Sequence, residues 1–406
     1  MNRNHNILSI KNLSFSYNQN KVLDNISFDV KEGSFISILG PNGAGKSTLV
    51  NLVSKVLGEY EGSIEIKGKD ITTLNSKDIA KLIAVVPQYT NPGFSFTVAE
   101  IVMMGRHPYI SRFKRERKED FEVINKVMEK TEISKFANRK FVELSGGEKQ
   151  RVIVAQALAQ DSPILLLDEP TSHLDINFQI EFMNLFLRLN IKEKKTIIGI
   201  FHDINLAIQN SEKIMLLKEG RIFSFGYAEK IINRESLKNV FHSDVFVGRN
   251  PVTNKLYVSP IFDPGLSFGT YRKTENKSLK IHIIGGGGAA SPVLSLLYRR
   301  GYKISCGVLN TLDTDIDTSQ MLDIPYVSEA PFSPISLSSQ NKNLEFIKSS
   351  DIVILPEVEF GHGNFSNLVS VKEAIRLGKK VIIVDKKSIG KRDYTGGKAA
   401  KLYQKI

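Results

Sequence analysis

The chain is predicted to be an α/β protein of two units, each organised around a parallel sheet. Short apolar runs such as Phe35-Ile36-Ser37-Ile38-Leu39 and Ile164-Leu165-Leu166-Leu167 recur between turns and helical stretches, the pattern of strands buried on both faces. One block with apolar residues three and four apart interrupts them. A stretch at 260–278, rich in Pro, Gly, Ser and charge, then separates a second βαβ alternation from the first.

In chain order, residues 7–40 read as β-rich, because ILSIKNLSFSY and VLDNISFDV alternate before the apolar run that feeds a glycine loop. The segment STLVNLVSKVL after that loop reads as a helix. From about 90 to 160 the pattern is helical, in VAEIVMMG, RKEDFEVINKVMEKT and GEKQRVIVAQALAQ. Apolar runs return at 164–167, 196–201 and 213–217. The expected organisation is a first unit at 1–259 with a helical insertion at about 90–160, a linker at 260–278, and a second unit at 279–406. In that second unit LKIHIIGG, YKISCGVLN, SSDIVILPE and KKVIIVDK read as strands between helices, which predicts a small open parallel sheet.

With 406 residues and 41% hydrophobic content, the chain can bury two or three cores. Cys306 is the only cysteine, which excludes an internal disulfide and a multi-cysteine metal site and suggests a buried, inert thiol. No uninterrupted apolar stretch approaches the roughly 20 residues of a membrane span, and MNRNHNILSIKN lacks a signal-peptide core, so a cytoplasmic chain is expected. The net charge of +12 would suit a polyanion, yet the lysines are scattered among Asn, Ser and Ile. No nucleic-acid partner is expected. The densest run, Arg112-Phe113-Lys114-Arg115-Glu116-Arg117-Lys118, is mixed in sign and reads as solvated.

Gly40-Pro41-Asn42-Gly43-Ala44-Gly45-Lys46-Ser47, followed by Thr48, fits GxxxxGK[ST] directly after an apolar strand and at the head of a helix. Its glycines let backbone N–H groups converge on a phosphate, Lys46 reaches the β/γ oxygens and Ser47 is the expected Mg²⁺ ligand. Asp168-Glu169 ends an apolar strand. There Asp168 suits Mg²⁺ and Glu169 suits a general base on water, although the pair alone equally describes a solvated turn. Leu144-Ser145-Gly146-Gly147-Glu148-Lys149-Gln150-Arg151 opens an amphipathic helix, as an anion site or as a simple cap.

In order along the chain, GPNGAGKST, LSGGEKQR and LLLDEPTSHLD closely resemble the nucleotide-binding subunits of ATP-binding-cassette (ABC) transporters, over roughly residues 7–258. The resemblance implies a P-loop NTPase cassette with a RecA-like core, an antiparallel β subdomain and a helical subdomain, using ATP and Mg²⁺. It implies that Tyr17 stacks on adenine, that Gln88 contacts Mg²⁺ and the attacking water, and that His202 contacts the γ-phosphate. Asp175, in Ser172-His173-Leu174-Asp175, matches the loop that links two nucleotide sites.

Two copies are implied to pair head to tail, so that Ser145, Gly146 and Gly147 of one close over the nucleotide of the other. The work would pass to separate membrane permease subunits through a groove near Gln88, with the chain peripheral on the cytoplasmic face. Gly105-Arg106-His107-Pro108-Tyr109, SHLD and HDINLA resemble importers of iron-siderophores, haem and cobalamin, which also use a substrate-binding protein. The alternatives are import of another small solute, or a non-transport ABC ATPase acting on nucleic acid or ribosomes. The latter usually carries two cassettes or a long coiled coil, and this chain has neither.

In the second unit, Gly285, Gly287 and Ala290 give GxGxxA after a strand, the place of a dinucleotide fingerprint, which predicts a Rossmann-like fold. The next strand, 303–309, ends at Asn310 rather than at the acid that would bind a ribose diol, which counts against NAD. Phe360-Gly361-His362-Gly363-Asn364 and Arg392-Asp393-Tyr394-Thr395-Gly396-Gly397 are expected at the same sheet edge. A small anionic ligand could sit there, or ligand-free turns could explain the same residues.

Overall fold

Alternation in the first two strands, β1 (Asn6–Tyr17) and β2 (Asn20–Lys31), buries Leu8, Ile10 and Leu13 against Leu23, Ile26 and Val30 as the strands pair antiparallel. The computed structural model describes residues 6–88, 95–110, 115–172, 174–250, 253–261, 278–330, 333–384 and 388–406. Packing divides the chain into units Met1–Ser259 and Pro260–Ile406.

The first unit continues with β3 (Phe35–Leu39), α1 (Lys46–Val53), β4 (Glu61–Ile66), β5 (Lys69–Asp70), α2 (Ser76–Leu82) and β6 (Ile83–Val86). The helical insertion carries α3 (Val98–Met104), α4 (Lys118–Lys130) and α5 (Gly146–Ala159). Then come β7 (Ile164–Asp168), α6 (Ile176–Glu193), β8 (Thr196–Ile200), α7 (Ile204–Asn210), β9 (Lys213–Lys218), β10 (Arg221–Gly226), α8 (Ala228–Ile231), α9 (Arg234–Phe241), β11 (Val245–Arg249) and β12 (Leu256–Pro260). One sheet, in the order β2-β1-β4-β5, is antiparallel; the central sheet has the order β10-β9-β3-β8-β7-β6 and is parallel except at β10.

Strand β3 is buried along its whole length because its alternate residues feed two cores. Phe35 and Leu39 face the side that packs the helical insertion, and Ile36 and Ile38 face the antiparallel sheet and α1. Strand β7 divides the same way, with Leu165 and Leu167 on one side and Ile164 and Leu166 on the other. The carboxyl ends of both strands therefore emerge at the same edge of a sheet clamped on both faces, with β8 between them.

Helix α1 is shorter than the expected 47–57 stretch. Lys55 steps into the left-handed region at φ 58, and its ammonium group donates to the carbonyls of Ile71 (2.7 Å) and Leu74 (2.6 Å), which ends the helix after Val53.

The second unit contains β13 (Lys280–Ile284), α10 (Ser291–Arg299), β14 (Lys303–Asn310), α11 (Thr314–Met321), β15 (Tyr326–Glu329), α12 (Leu337–Ser349), β16 (Ile352–Leu355), α13 (Phe365–Arg376), β17 (Lys380–Ile383) and α14 (Lys398–Tyr403). Its sheet has the order β15-β14-β13-β16-β17, parallel throughout, with the reversal between β13 and β16 that defines a Rossmann-like switch point. Cys306 is fully buried in its core, and burial pushes its thiol pKa up, so it is unreactive. Of the expected linker, 262–277 lies outside the described residues. No helix among the described residues is long and apolar enough to cross a membrane.

Candidate active site

The glycine loop leaves β3 and turns into α1 through two left-handed glycines, Gly43 (φ 80) and Gly45 (φ 94). At Gly40 a side chain is impossible, since a Cβ would lie 2.2 Å from the Leu217 carbonyl oxygen. Asn42 and Gly43 are exposed, whereas Ala44 is buried. Lys46 is buried, and its ammonium group donates to the carbonyls of Gly40 and Pro41, each at 2.9 Å. Burial pushes its pKa down, against the opposing pull of Glu169 and Asp168. Ser47, beside Thr48, donates from Oγ to Asp168 Oδ1 at 3.2 Å.

Burial raises the pKa of Asp168, and the neighbouring Glu169 charge adds to the rise, partly offset by Ser47, Lys46 and His202. Glu169 stands at φ 53, the left-handed region that non-glycine residues seldom enter. Its backbone is pinned by its own N–H to Ile200 O (3.2 Å), and its carbonyl accepts from Ser172 Oγ (2.9 Å). Both carboxylate oxygens are engaged: Gln88 Nε2 donates to Oε2 at 2.6 Å, and His202 Nε2 lies 2.5 Å from Oε1. Glu169 has a side chain only 11% exposed while His202 is 49% exposed, so the histidine is the partner with room to move. Sequence reading missed Ser172 as the clip on Glu169, although a serine three residues on is a common backbone-capping signal.

The Ser145, Gly146 and Gly147 turn lies elsewhere. Ser145 caps α5, and Gly147 packs on the Phe178 ring, where a Cβ would come within 2.8 Å. Asp175 caps α6 by accepting from Phe178 N at 3.0 Å. The turn is thus joined to the start of α6. Among the described residues no hydrogen bond or ion pair joins it to Lys46, Ser47, Asp168, Glu169 or His202. Tyr17 is 46% exposed, and its ring stands perpendicular to Phe15 with centroids 4.8 Å apart. His173 lies outside the described residues, as does part of the Arg112 to Lys118 run.

A family profile described as ABC transporter matches residues 23–172, and one described as the MJ0874 family matches residues 304–406. The cobalamin import ATP-binding protein BtuD of Halobacterium salinarum is 32% identical over 350 residues, which is 86% of this chain and 85% of that one. The chain belongs to the ABC transporter ATP-binding family. The iron(3+)-hydroxamate import ATP-binding protein FhuC of Bacillus subtilis is 37% identical over 62% of this chain and 93% of its own length. A solved metal-chelate type ABC transporter in an inward-facing conformation gives a TM-score of 0.58 at 29% identity, covering 64% of this chain and 99% of that one.

The importer-like segment at 105–109 is structural within this ABC cassette. A Cβ at Gly105 would lie 2.2 Å from the Gln156 carbonyl oxygen, so α3 and α5 meet there. Arg106 is buried, pairs with Asp120 of α4 at 2.9 Å, donates to Ala159 O of α5 at 2.8 Å and stacks on Tyr109. Tyr109 donates to Gln160 O at 3.1 Å, and Gln160 in turn donates to Ile83 O at 2.5 Å. The motif therefore ties the insertion to the core.

The dinucleotide-like loop of the second unit is bonded within its own unit. Its N–H donors are already taken by two carboxylates of the same unit. Asp313 accepts from Gly287 N (2.7 Å) and Gly288 N (3.1 Å). Asp315 accepts from Gly286 N (2.9 Å), Ala290 N (3.1 Å) and Ser291 N (2.7 Å). A phosphate could reach the Gly286, Ala290 and Ser291 N–H groups only by displacing the wholly buried Asp315, whereas Gly287 and Gly288 are held by the partly exposed Asp313. The later turns do converge: Phe360 N donates to Arg392 O and Tyr394 N to Phe360 O, both at 2.8 Å, while Asn364 closes on Gly361 N. These contacts are internal turn bonds.

Proposed function

We propose that the chain hydrolyses ATP between two head-to-tail copies and so drives import of a metal chelate through separate permease subunits. The observation that carries the catalytic part is the Glu169 carboxylate, held between Gln88 and His202 beside the Ser47 and Asp168 pair and the buried Lys46. The donors among these groups, Lys46, Ser47, Gln88 and His202, are engaged internally by acceptors whose place the oxygens of a triphosphate can take. Lys46 exchanges two carbonyls for phosphate oxygens, and the amides of the loop from Gly40 through Thr48 receive the β-phosphate. The exposed Tyr17 ring is the stacking partner for adenine.

Ser47 and Asp168 supply hard oxygen donors, and Gln88 a third, which suits Mg²⁺. Among the described residues no three His, Cys, Asp or Glu side chains converge as a metal site, so such an ion would rely on phosphate and water for its other ligands. Bound there, it would supply charge neutralisation on the phosphates. Glu169, released as Gln88 and His202 turn to the nucleotide, accepts the proton of the attacking water, and His202 donates to the γ-phosphate. Ser145, Gly146 and Gly147 come from the second copy, with Asp175 at the same junction.

A groove lined by Ile79, Ile83, Pro87, Met104, Gly105 and Gln156 is our proposed permease site. Pro87 is the chain neighbour of Gln88, so a shift in the groove reaches Gln88 across one peptide bond and Glu169 through the Gln88 side-chain hydrogen bond. The names of BtuD and FhuC support a chelate cargo; in this reading a substrate-binding protein delivers it and this chain is peripheral on the cytoplasmic face. Residues 1–259 form the cassette in this reading, and 279–406 an accessory domain.

The test is turnover beside binding. Lys46→Ala should lose ATP binding; Glu169→Gln should bind ATP with parental affinity yet lose roughly 100-fold or more in hydrolysis rate. Parental turnover by Glu169→Gln would contradict the assignment of the base.

A further inference from the structure

We propose that Glu148 is an electrostatic brake on cassette pairing, holding the hydroxyl group that the other copy's nucleotide needs. This rests on the paired-copy reading above. Ser145 is the first residue outside α5, and both its N–H (2.9 Å) and its Oγ–H (2.8 Å) donate to Glu148 Oε2. The Glu148 N–H returns a longer bond to Ser145 Oγ at 3.4 Å.

A serine has one O–H to give. While Glu148 holds it, an arriving γ-phosphate oxygen meets the lone pairs of Ser145 Oγ rather than a donor. The start of α5, with the Gly146 and Gly147 amides, favours an anion; the Glu148 carboxylate is already there, and a second anion in the same place is repelled. Hydrogen bonds from Ser145 hold the Glu148 carboxyl below the usual carboxylate range, with Arg139 and Lys135 adding to the effect, so the charge is present at neutral pH.

The turn itself has little freedom to yield. Gly147 is pressed on Phe178, and Arg151 one turn on pairs with Glu132 and Glu181 and lies over the Phe178 ring at 5.3 Å. What moves is the Glu148 side chain. It must release Ser145 when ATP closes the interface, and it retakes Ser145 when the γ-phosphate leaves, which favours reopening. Glu148 is therefore a positioning residue that sets the strength of the closed state without touching the reacting atoms.

The experiment is sedimentation of the full chain in MgATP, in the Glu169→Gln background, with and without Glu148→Gln. Glutamine keeps an acceptor oxygen for the cap and removes the charge. The dimer dissociation constant should fall by about fivefold or more at low salt, and the gap should shrink as sodium chloride screens the repulsion. An unchanged or weaker dimer, or a gap indifferent to salt, would overturn the proposal. A Glu169→Gln chain that stays monomeric in MgATP would overturn the paired-copy reading and this inference with it.

Discussion

Asp168 is a carboxylate kept in an environment that disfavours its charge. Burial raises its pKa, which means that the folded chain bears a cost at neutral pH that the unfolded chain does not. The sign follows directly. The cost is fully present above the raised folded value and disappears below the ordinary value of 3.8, where both states are protonated. Asp168→Asn, which preserves an acceptor for Ser47, should therefore raise the melting temperature of the nucleotide-free chain by a few degrees near pH 7. That gain should vanish as the pH falls through the carboxylate range, and scanning calorimetry at several pH values reads it. The same variant should lose ATP turnover, so stability and activity move in opposite directions at this one position.

At the scale of elements, the legible parts were those whose local pattern decides the outcome. Strands β3, β7 and β8 were readable because burial on both faces forces a continuous apolar run, and the glycine loop because a strand, three glycines and a lysine leave little freedom. Strands β10 and β15 went unread because short edge strands such as YVSE carry no such run. The acids that fill the second glycine loop were also invisible: Asp313 and Asp315 lie past the end of β14, and only the turn into α11 aims them back at Gly286, Gly287 and Ala290. Asp315→Ala would strip the acceptor from three backbone N–H groups and the Ser291 hydroxyl. The expected cost is roughly 3–5 kcal/mol, seen as faster hydrogen exchange at Gly286 and Ala290, with the first unit unaffected. Unchanged protection there would mean that the acids are not what holds the loop.

For the whole molecule, the candidate site residues divide between two places in the one chain. The glycine loop, the paired acids, Gln88 and His202 meet at the carboxyl ends of β3, β6, β7 and β8, whereas the Ser145 turn is fixed to α6 and leaves Ser145 and Gly146 exposed. A second copy is the economical way to complete the site, and the sequence could imply this only through the family resemblance, because no local pattern encodes a contact between molecules. Thiol labelling tests the point most directly. Cys306 is fully buried and silent, and Gly146 has open space for a side chain, so Gly146→Cys supplies a single reporter. In the Glu169→Gln background, MgATP should slow maleimide labelling at that position by about tenfold or more while ADP leaves it fast. Equal labelling with and without MgATP, in a chain that still binds the nucleotide, would contradict the shared site.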